Sequence, residues 1–334
     1  MAKAPTRQEL AAELIRKFPG TPNRTIARRL HKENPGLFNT LEAARSTVRC
    51  VVGASGEANR KMAATQRIDK PKGKAGWKPE CPPSAADPWL PLQIDGPCKV
   101  LSLSDVHIPY HSREAVEAAV DFGLKLKPNI LLLNGDTQDF YRGSRYQKDL
   151  NKRSLTEEIY TGRQFLSWLK SKFPKARRIY KMGNHDERWN HLIWNQAPEL
   201  FDLDNVQLRD VMHFEDNGFE EVGDNPTMAG RLPVLHGHEF GSSLMAPVNP
   251  ARGAFLRTNH TVLIGHLHRS STHAESDMWH KQTVTWSQGC LCDLTPEYAR
   301  INRWNHGFAF IDVAKDGSFN LHNYAIDGSE VRTA

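Results

Sequence analysis

The chain has 334 residues, 39% of them hydrophobic and 25% charged, a composition typical of globular proteins rather than disordered or fibrous ones. The formal net charge of +6 is unevenly spread, because residues 1–80 contain 17 Lys and Arg against 7 Asp and Glu, whereas residues 81–334 carry a net charge of −4. The N-terminal quarter is therefore either a segment with a polyanionic partner or a solvated, lysine-rich tail.

Cysteine usage and the lack of long apolar runs narrow the class of protein further. The five cysteines include no CxxC pair, which argues against a disulfide framework and against a structural zinc site. No apolar run approaches the ~18 residues that a membrane-spanning helix needs, and the N-terminus has no apolar signal core. We expect a soluble, cytoplasmic protein with reduced thiols and no membrane partner.

Residues 1–53 are predicted to form a small, basic domain of three short helices. Thr6 and Glu9 have the spacing of a capping box at the start of the first helix. The segments 20–22 and 34–36 both contain Gly and Pro and separate the three helices. Two short helices joined by a tight turn fit a helix-turn-helix-like unit that contacts nucleic acid, and a bundle that only packs on another domain is the alternative. The candidate nucleic-acid contacts are Arg28, Arg45 and Arg49.

Residues 54–97 are predicted to be a Pro- and Lys-rich linker, because they lack the periodicity of a helix or a strand. Residues 98–334 then alternate apolar and amphipathic segments, which is the pattern of an α/β domain. The first expected strands and helices are, in order, 100–103, 113–126, 130–133, 154–173 and 178–182. Later apolar segments are less interrupted by helices and suggest a second sheet packed on the first: 232–235, 261–264, 282–286 and 308–313.

Five polar motifs follow the predicted strands of this domain. They are Asp105-Val106-His107, Gly135-Asp136 with Asp139, Gly183-Asn184-His185-Asp186, His236-Gly237-His238 and Gly265-His266-Leu267-His268. Open α/β sheets bind ligands at the carboxyl ends of their strands, so we expect the motifs to converge. Asp, Asn and His side chains suit divalent transition metals better than calcium or a thiolate zinc site. A pair of such metals is typical of hydrolysis at phosphorus.

The five motifs, in this order, resemble those of the calcineurin-like metallophosphoesterase superfamily over about residues 99–313. The resemblance implies an α/β four-layer sandwich of two packed mixed β-sheets flanked by helices, here with a small N-terminal three-helix domain. It also implies two divalent metal ions, expected to be Mn²⁺, with Fe, Zn, Ni or mixed pairs as alternatives. One metal would be held by Asp105, His107 and His268. The other would be held by Asn184, His236 and His266, with Asp136 bridging the two and His236 preferred over His238.

The resemblance assigns two further residues to catalysis. His185 would stabilise or protonate the leaving oxygen, and Asp139 would orient its imidazole. Arg142 and Arg145 follow Asp139 and are candidates for holding a phosphate oxygen, with an ordinary solvated loop as the alternative. Arg188 is open to the same two interpretations.

Cys290 and Cys292 are the remaining group close to a motif. Their CxC spacing suggests a third metal, but this pattern alone is weak evidence. We therefore interpret them as thiols on a strand.

The leading functional hypothesis is a two-metal phosphodiesterase, a nuclease acting on DNA in preference to RNA, in which a metal-bridging hydroxide attacks phosphorus. The basic N-terminal segment would supply affinity for the nucleic-acid backbone. The same ligands serve a phosphomonoesterase or a hydrolase of small or cyclic nucleotides, which is the first alternative. A non-catalytic DNA-binding protein on a phosphoesterase scaffold is the second, and the complete ligand set argues against it.

The overall arrangement is similar to that of phosphoesterases encoded by bacteriophages. We therefore expect a virus-encoded protein that acts in the cytoplasm of a bacterial host. The oligomeric state is open, and a homodimer is one option.

Overall fold

The computed structural model describes residues 5–52, 81–86, 89–145, 149, 151, 154–241 and 248–334. The chain forms two compact units, Met1–Ala85 and Ala86–Ala334. Most of the predicted linker, at 54–80 and 87–88, lies outside the described residues.

The N-terminal unit contains the three predicted helices, α1 (Arg7–Lys17), α2 (Asn23–Glu33) and α3 (Leu41–Val52). The Glu9 amide donates to the Thr6 hydroxyl at 3.3 Å, and the Thr6 amide donates to the Glu9 carboxylate at 2.7 Å, so the predicted capping box is present. A buried apolar cluster joins the helices: Ala11, Ile26, Ala27, Leu30, Phe38, Ala44 and Val48. Residues 7–52 of the basic segment therefore form a folded helical unit rather than a solvated tail.

The second unit contains two mixed β-sheets. Its described strands are β1 (Leu92–Ile94), β2 (Cys98–Leu103), β3 (Ile130–Asn134), β4 (Arg177–Lys181), β5 (Phe219–Gly223), β6 (Thr227–Ala229), β7 (Leu232–Val234), β8 (Val262–Ile264), β9 (Ser271–Ser276), β10 (Gln282–Ser287), β11 (His306–Val313), β12 (Phe319–Asp327) and β13 (Glu330–Thr333). The larger sheet has the order β13-β12-β11-β2-β3-β4-β5, and the smaller one has the order β1-β6-β7-β8-β10-β9. Strands β2 to β5 run parallel to one another.

Helices connect and cover these strands. The described α-helices of this unit are α4 (Arg113–Leu126), α5 (Leu155–Lys172), α6 (Arg188–Gln196), α7 (Leu208–Val211), α8 (Phe214–Asn217) and α9 (Pro250–Thr258). A capping box formed by Ser154 and Glu157 begins α5. Within the described part of the chain, no helix combines the length and the apolar character needed to cross a membrane.

Side-chain alternation along the strands divides the interior into layers. On β2, Leu101 and Leu103 join the core under the helices, whereas Val100 joins the core between the two sheets. On the outer side of the smaller sheet, Ala254 of α9 packs with Val262 and Ile264. The order of layers is thus helix, sheet, sheet and helix, which confirms the predicted α/β sandwich of two mixed sheets flanked by helices.

Two predictions of strand placement were wrong. The segment 308–313 was assigned to the second sheet, but β11 pairs with β2 in the larger sheet, where Ile311 lies opposite Val100. Apolar alternation marks a strand without specifying which sheet it joins. Residues 92–94 were assigned to the linker, but β1 pairs with β6 at the edge of the smaller sheet, and three residues are too few to show a periodicity.

Candidate metal centre

The five polar motifs meet where strands of both sheets end, as the sequence predicts. The larger sheet contributes the residues that follow β2, β3 and β4, namely Asp105, His107, Asp136, Asp139, Asn184 and His185. The smaller sheet contributes those that follow β7 and β8, namely His236, His266 and His268. The site therefore depends on the packing of the two sheets as well as on the strand order within each.

Much of the site has left-handed backbone. The φ angles are 55° at Asp105, 52° at His107, 51° at Asp136, 65° at His266 and 54° at His268. Non-glycine residues rarely adopt this region, and each such residue costs roughly 1–3 kcal/mol. Hydrogen bonds between the loops hold it, since the Asp105 and His107 amides donate to the carbonyls of Gly135 and Asp136 at 3.1 and 3.0 Å. Strain of this kind is characteristic of functional sites.

Two motif glycines are required by close approach. Gly135 has a φ of 88°, and a Cβ there would overlap the imidazole of His236. A Cβ on Gly183 would overlap the Asp136 carboxylate. The glycines of the Gly-Asp and Gly-Asn motifs thus allow ligands from neighbouring loops to come together.

The first group of side chains is Asp105, His107 and His268. The Nε2 atom of His268 lies 3.1 Å from Asp105 Oδ1 and 3.3 Å from His107 Nε2. All three side chains are buried. Two imidazole nitrogens and a carboxylate oxygen therefore converge on one small volume.

The second group is built around Asp136. Its Oδ2 atom lies 3.2 Å from His236 Nε2 and 3.8 Å from His107 Nε2, so the carboxylate faces a histidine of each predicted metal. A carboxylate oxygen of Asp136 and one ring nitrogen from each of His236 and His266 all lie within 4.8 Å of one another. Asp136 thus occupies the position between the groups that the resemblance implies for a bridging ligand.

Several candidate ligand atoms in these groups are buried without a well-formed hydrogen bond, although Asp105 Oδ1 has His268 Nε2 at 3.1 Å and His236 Nε2 has Asp136 Oδ2 at 3.2 Å. They are Asp105 Oδ1, Asn184 Oδ1, His236 Nε2 and His266 Nδ1. An unpaired buried polar atom is costly, and such atoms require an explanation. All four belong to predicted metal ligands, so the residues present fit a pair of divalent cations.

Electrostatics point the same way. Burial opposes protonation of His236, yet the Asp136 and Asp105 carboxylates raise its pKa to about 10. Burial likewise opposes protonation of His268, and Asp105 raises its pKa to about 9. The two buried carboxylates therefore attract positive charge strongly into this volume.

Neighbouring groups orient the candidate ligands. The Nδ1 atom of His236 lies 2.8 Å from the Asn134 carbonyl oxygen, which leaves Nε2 directed at Asp136. The Ser104 hydroxyl and the His266 amide donate to Asp105 Oδ2 at 2.6 and 2.9 Å, which leaves Oδ1 available. Such contacts fix the tautomer and direction of metal ligands.

His185 and Asp139 lie together, in the arrangement that the resemblance implies. The Oδ1 atom of Asp139 is 2.9 Å from His185 Nδ1 and 3.0 Å from His107 Nδ1. Burial raises the pKa of Asp139, but the hydrogen bonds from these two histidines lower it by more, so the pKa lies well below its usual range. One carboxylate therefore orients both the candidate catalytic histidine and a candidate metal ligand.

Arg188, one of the arginines considered from the sequence, contacts this pair. Its Nη2 atom lies 2.9 Å from His185 Nε2, and its Nη1 atom donates to the Asp139 carbonyl at 2.8 Å. Arg142 lies on the 3-10 turn Tyr141–Gly143. Burial and the Asp139 carboxylate raise the pKa of Glu158 to about 8, and the charges of Arg188 and Arg142 oppose this rise. The substrate roles of Arg142 and Arg145 stay predictions. The signal for Arg188 was its position two residues after the Asn-His-Asp motif.

His238 and the cysteines also lie close to the site. His238 begins a 3-10 turn, and its Nε2 atom is 3.3 Å from Glu187 Oε1, whereas Nε2 of His236 is 3.2 Å from Asp136 Oδ2. Cys290 and Cys292 are buried but lie outside the strands, so their assignment to a strand was wrong. The Cys292 Sγ atom is 3.7 Å from Nδ1 of His268, where it helps to orient that ring.

A buried ion pair supports the loop that carries His236. Lys181 Nζ lies 2.9 Å from Glu239 Oε1, and the Lys181 side chain is fully buried. The Glu239 carboxylate also accepts hydrogen bonds from the amides of His236 and Gly237 at 3.1 and 2.6 Å. Sequence reasoning missed this pair, because its members are 58 residues apart, with Lys181 at the end of β4 in the larger sheet and Glu239 after β7 of the smaller sheet.

Replacing Lys181 by Met is expected to lower the free energy of unfolding by about 3–5 kcal/mol, because Glu239 is left buried without its counter-charge. Burial raises and Lys181 lowers the pKa of Glu239, from 4.5 to about 2. The contribution of the pair is therefore complete above about pH 4.5 and is lost as the pH falls towards 2. Urea unfolding at pH 7 measures the change.

Arg177, on the same strand, provides the matched control. It pairs with Glu220 at 2.7 Å, with both side chains more than 40% exposed. Arg177→Met should cost less than about 1 kcal/mol. Equal losses in the two variants would contradict a special role for the buried pair.

Comparison with known proteins agrees with the fold and the site. Residues 98–299 match the family model of calcineurin-like phosphoesterases. The chain belongs to this family and is a metal-dependent phosphoesterase, a hydrolase, which confirms the resemblance drawn from the motifs.

Relatives are found among bacteriophage proteins. The Gene 54 protein of Mycobacterium phage L5 is 24% identical over 227 residues, which cover 64% of this chain and 89% of the relative. The Gene 54 protein of Mycobacterium phage D29 is 25% identical over 228 residues, with the same coverage. These relatives fit the expectation of a virus-encoded protein.

Solved structures give more distant matches. Vacuolar Protein Sorting 29 from Cryptosporidium parvum aligns with a TM-score of 0.39 and 15% identity, covering 71% of this chain and 95% of that one. The phosphoesterase Yfce from E. coli aligns with a TM-score of 0.33 and 16% identity, covering 67% and 97%.

Proposed function

We propose that the chain is a two-metal phosphodiesterase that acts on nucleic acid, with DNA preferred over RNA. The observation that carries the proposal is the set of buried oxygen and imidazole-nitrogen atoms arranged on both sides of Asp136, several of them without a well-formed hydrogen bond. Oxygen and imidazole donors suit Mn²⁺, with Fe, Zn or Ni as alternatives. When bound, such a metal pair polarises phosphoryl oxygens and activates water.

The remaining chemistry belongs to residues of the chain itself. His185 holds a proton for the leaving oxygen, and Asp139 fixes the direction of its ring from Nδ1. Arg188 donates to the other nitrogen of that ring, Nε2, at 2.9 Å. A phosphate oxygen that takes over this guanidinium N–H would leave Nε2 free to carry the proton for the leaving oxygen. Asp139 also links this pair to His107 and thereby to the metal ligands.

The N-terminal unit supports a nucleic-acid substrate through its charge. Arg28 is exposed on α2. Arg45 and Arg49 share the Glu42 carboxylate at 3.3 and 3.4 Å. The Arg49 side chain is 67% exposed, and ion pairs at exposed positions are weak, so a DNA phosphate competes with Glu42 for the Arg49 guanidinium at little cost.

Replacing Arg28, Arg45 and Arg49 together by Gln is expected to raise the KM for DNA by about tenfold or more. It should also reduce the salt dependence of binding, because each lost phosphate contact removes roughly one unit from the slope of log affinity against log salt concentration. Hydrolysis of single- and double-stranded DNA with Mn²⁺ measures the effect, beside bis-p-nitrophenyl phosphate. The matched control replaces three exposed lysines of the second unit by Gln: Lys125, Lys175 and Lys315. Equal KM changes in the two triple variants would contradict a role for the N-terminal unit.

The phosphomonoesterase alternative is separated in the same assay. Turnover of p-nitrophenyl phosphate without turnover of DNA or bis-p-nitrophenyl phosphate would assign the site to monoesters. A truncated chain used for comparison should begin at Ala86 rather than at residue 98, because the later start removes strand β1 from its sheet.

A further inference from the structure

We propose that Tyr298 and Trp304 form a base-stacking subsite beside the metal centre, which selects phosphodiesters with an unpaired nucleobase next to the scissile phosphate. The inference rests on the proposed function, because it specifies which phosphodiester the same site accepts.

The two aromatic side chains lead outward from a candidate metal ligand. The ring of Trp304 packs edge-on against His268, with centroids 4.1 Å apart and an angle of 68° between the planes. The Tyr298 ring follows at 6.2 Å from that of Trp304. His268 in turn contacts Asp105 and His107. A base that contacts Tyr298 and Trp304 therefore has its phosphate close to the metal ligands.

Tyr298 is exposed on the surface, and its phenol is close enough to the site for the charges there to shift its pKa. The residue is 69% exposed. Partial burial of the phenol raises its pKa above the usual value, and the Asp139 carboxylate raises it further. The ring is thus open to solvent while the hydroxyl lies within electrostatic range of the catalytic pair. Aromatic faces in this position stack on bases of any sequence.

The segment that carries these rings is held rigidly. The Asn302 side-chain amide donates to the carbonyls of Leu294 and Ala299 at 2.6 and 2.7 Å, and its oxygen accepts from the Trp304 amide at 2.8 Å. The Asn305 amide donates to the His268 carbonyl at 2.9 Å. An exposed aromatic ring on a loop fixed in this way is pre-organised for a planar ligand, which lowers the entropic cost of binding.

Charge around the segment fits the backbone of a nucleic acid. Arg300 and Arg303 lie on the same segment and are exposed, and Arg188 lies beside His185. These arginines would attract the phosphates of a strand whose base stacks on Tyr298. A base paired in a duplex has its faces covered by its neighbours, so the subsite favours a single strand or an unpaired end.

The test compares two diesters that share a leaving group. Thymidine 5′-(p-nitrophenyl phosphate) carries a base, and methyl p-nitrophenyl phosphate does not. Wild-type protein with Mn²⁺ should have the higher kcat/KM for the nucleoside ester. Tyr298→Ala should lower the ratio of the two kcat/KM values by about tenfold, which is the usual scale of one lost base–aromatic stack.

Two further variants make the result specific. Tyr298→Phe keeps the stacking face and should keep the ratio, whereas a role of the hydroxyl alone would lower it. Trp279→Ala removes a 78% exposed aromatic ring from the turn between β9 and β10 and should leave both rates unchanged. A wild-type ratio in Tyr298→Ala, or an equal fall in Tyr298→Phe, would overturn the stacking subsite.

Failure of the proposed function gives a different result. If neither diester is hydrolysed but p-nitrophenyl phosphate is, the phosphodiesterase proposal fails. The subsite is then tested with thymidine 5′-monophosphate against methyl phosphate in the same variants, where Tyr298→Ala must again lower the ratio.

Discussion

Asp136→Asn is expected to reduce Mn²⁺-dependent hydrolysis of bis-p-nitrophenyl phosphate by about three orders of magnitude. The Asp136 carboxylate lies between the two groups of histidines, 3.2 Å from His236 and 3.8 Å from His107. An amide in its place offers one neutral oxygen, which offsets the repulsion between two dications poorly. Metal ions supply several kcal/mol to such reactions, and about 1.4 kcal/mol corresponds to a tenfold change in rate.

Metal content provides the second measurement for this variant. Wild-type protein should bind two Mn²⁺ ions per chain, and Asp136→Asn should bind fewer, with a smaller rise in melting temperature on addition of Mn²⁺. Asp121→Asn is the control, because this carboxylate is 65% exposed on α4 and pairs only at 3.7 Å with Lys172. Full metal content together with normal turnover in Asp136→Asn would remove the basis for a bridging role.

His185→Gln is expected to lower kcat by roughly 10²–10⁴-fold while the metal content stays at the wild-type level, because general acid catalysis typically contributes this much. His185 contacts Asp139 and Arg188, its amide donates to Asp136 at 2.8 Å, and the resemblance does not make it a metal ligand. The loss should be larger for an alkyl leaving group than for p-nitrophenolate, which needs little protonation. Rates with methyl p-nitrophenyl phosphate and with a dinucleotide measure this difference.

Asp139→Asn separates positioning from proton transfer. Asp139 holds both His185 and His107, so its loss should lower kcat and weaken metal binding together. A His185 variant that loses metal, or one with equal losses for both leaving groups, would contradict the assignment of His185 as the proton donor.

The sequence by itself determined the chemistry of the site and most of the local structure. Each candidate ligand follows a strand that is predicted from the apolar residues of that strand. The helices predicted at 113–126 and 154–173 agree with the observed ends to within about one residue. This is possible because strand ends, helix caps and glycine turns depend on neighbouring residues. The order of the motifs then identified the family before any three-dimensional contact was known.

Only the tertiary structure decided which distant segments meet. The pairing of β11 with β2, the edge position of β1 and the ion pair of Lys181 with Glu239 join residues far apart in the chain. The row formed by His268, Trp304 and Tyr298 likewise depends on side-chain directions after the two sheets have packed. Local patterns specify that a residue is apolar, charged or aromatic, and the packing of the sheets specifies what that residue contacts.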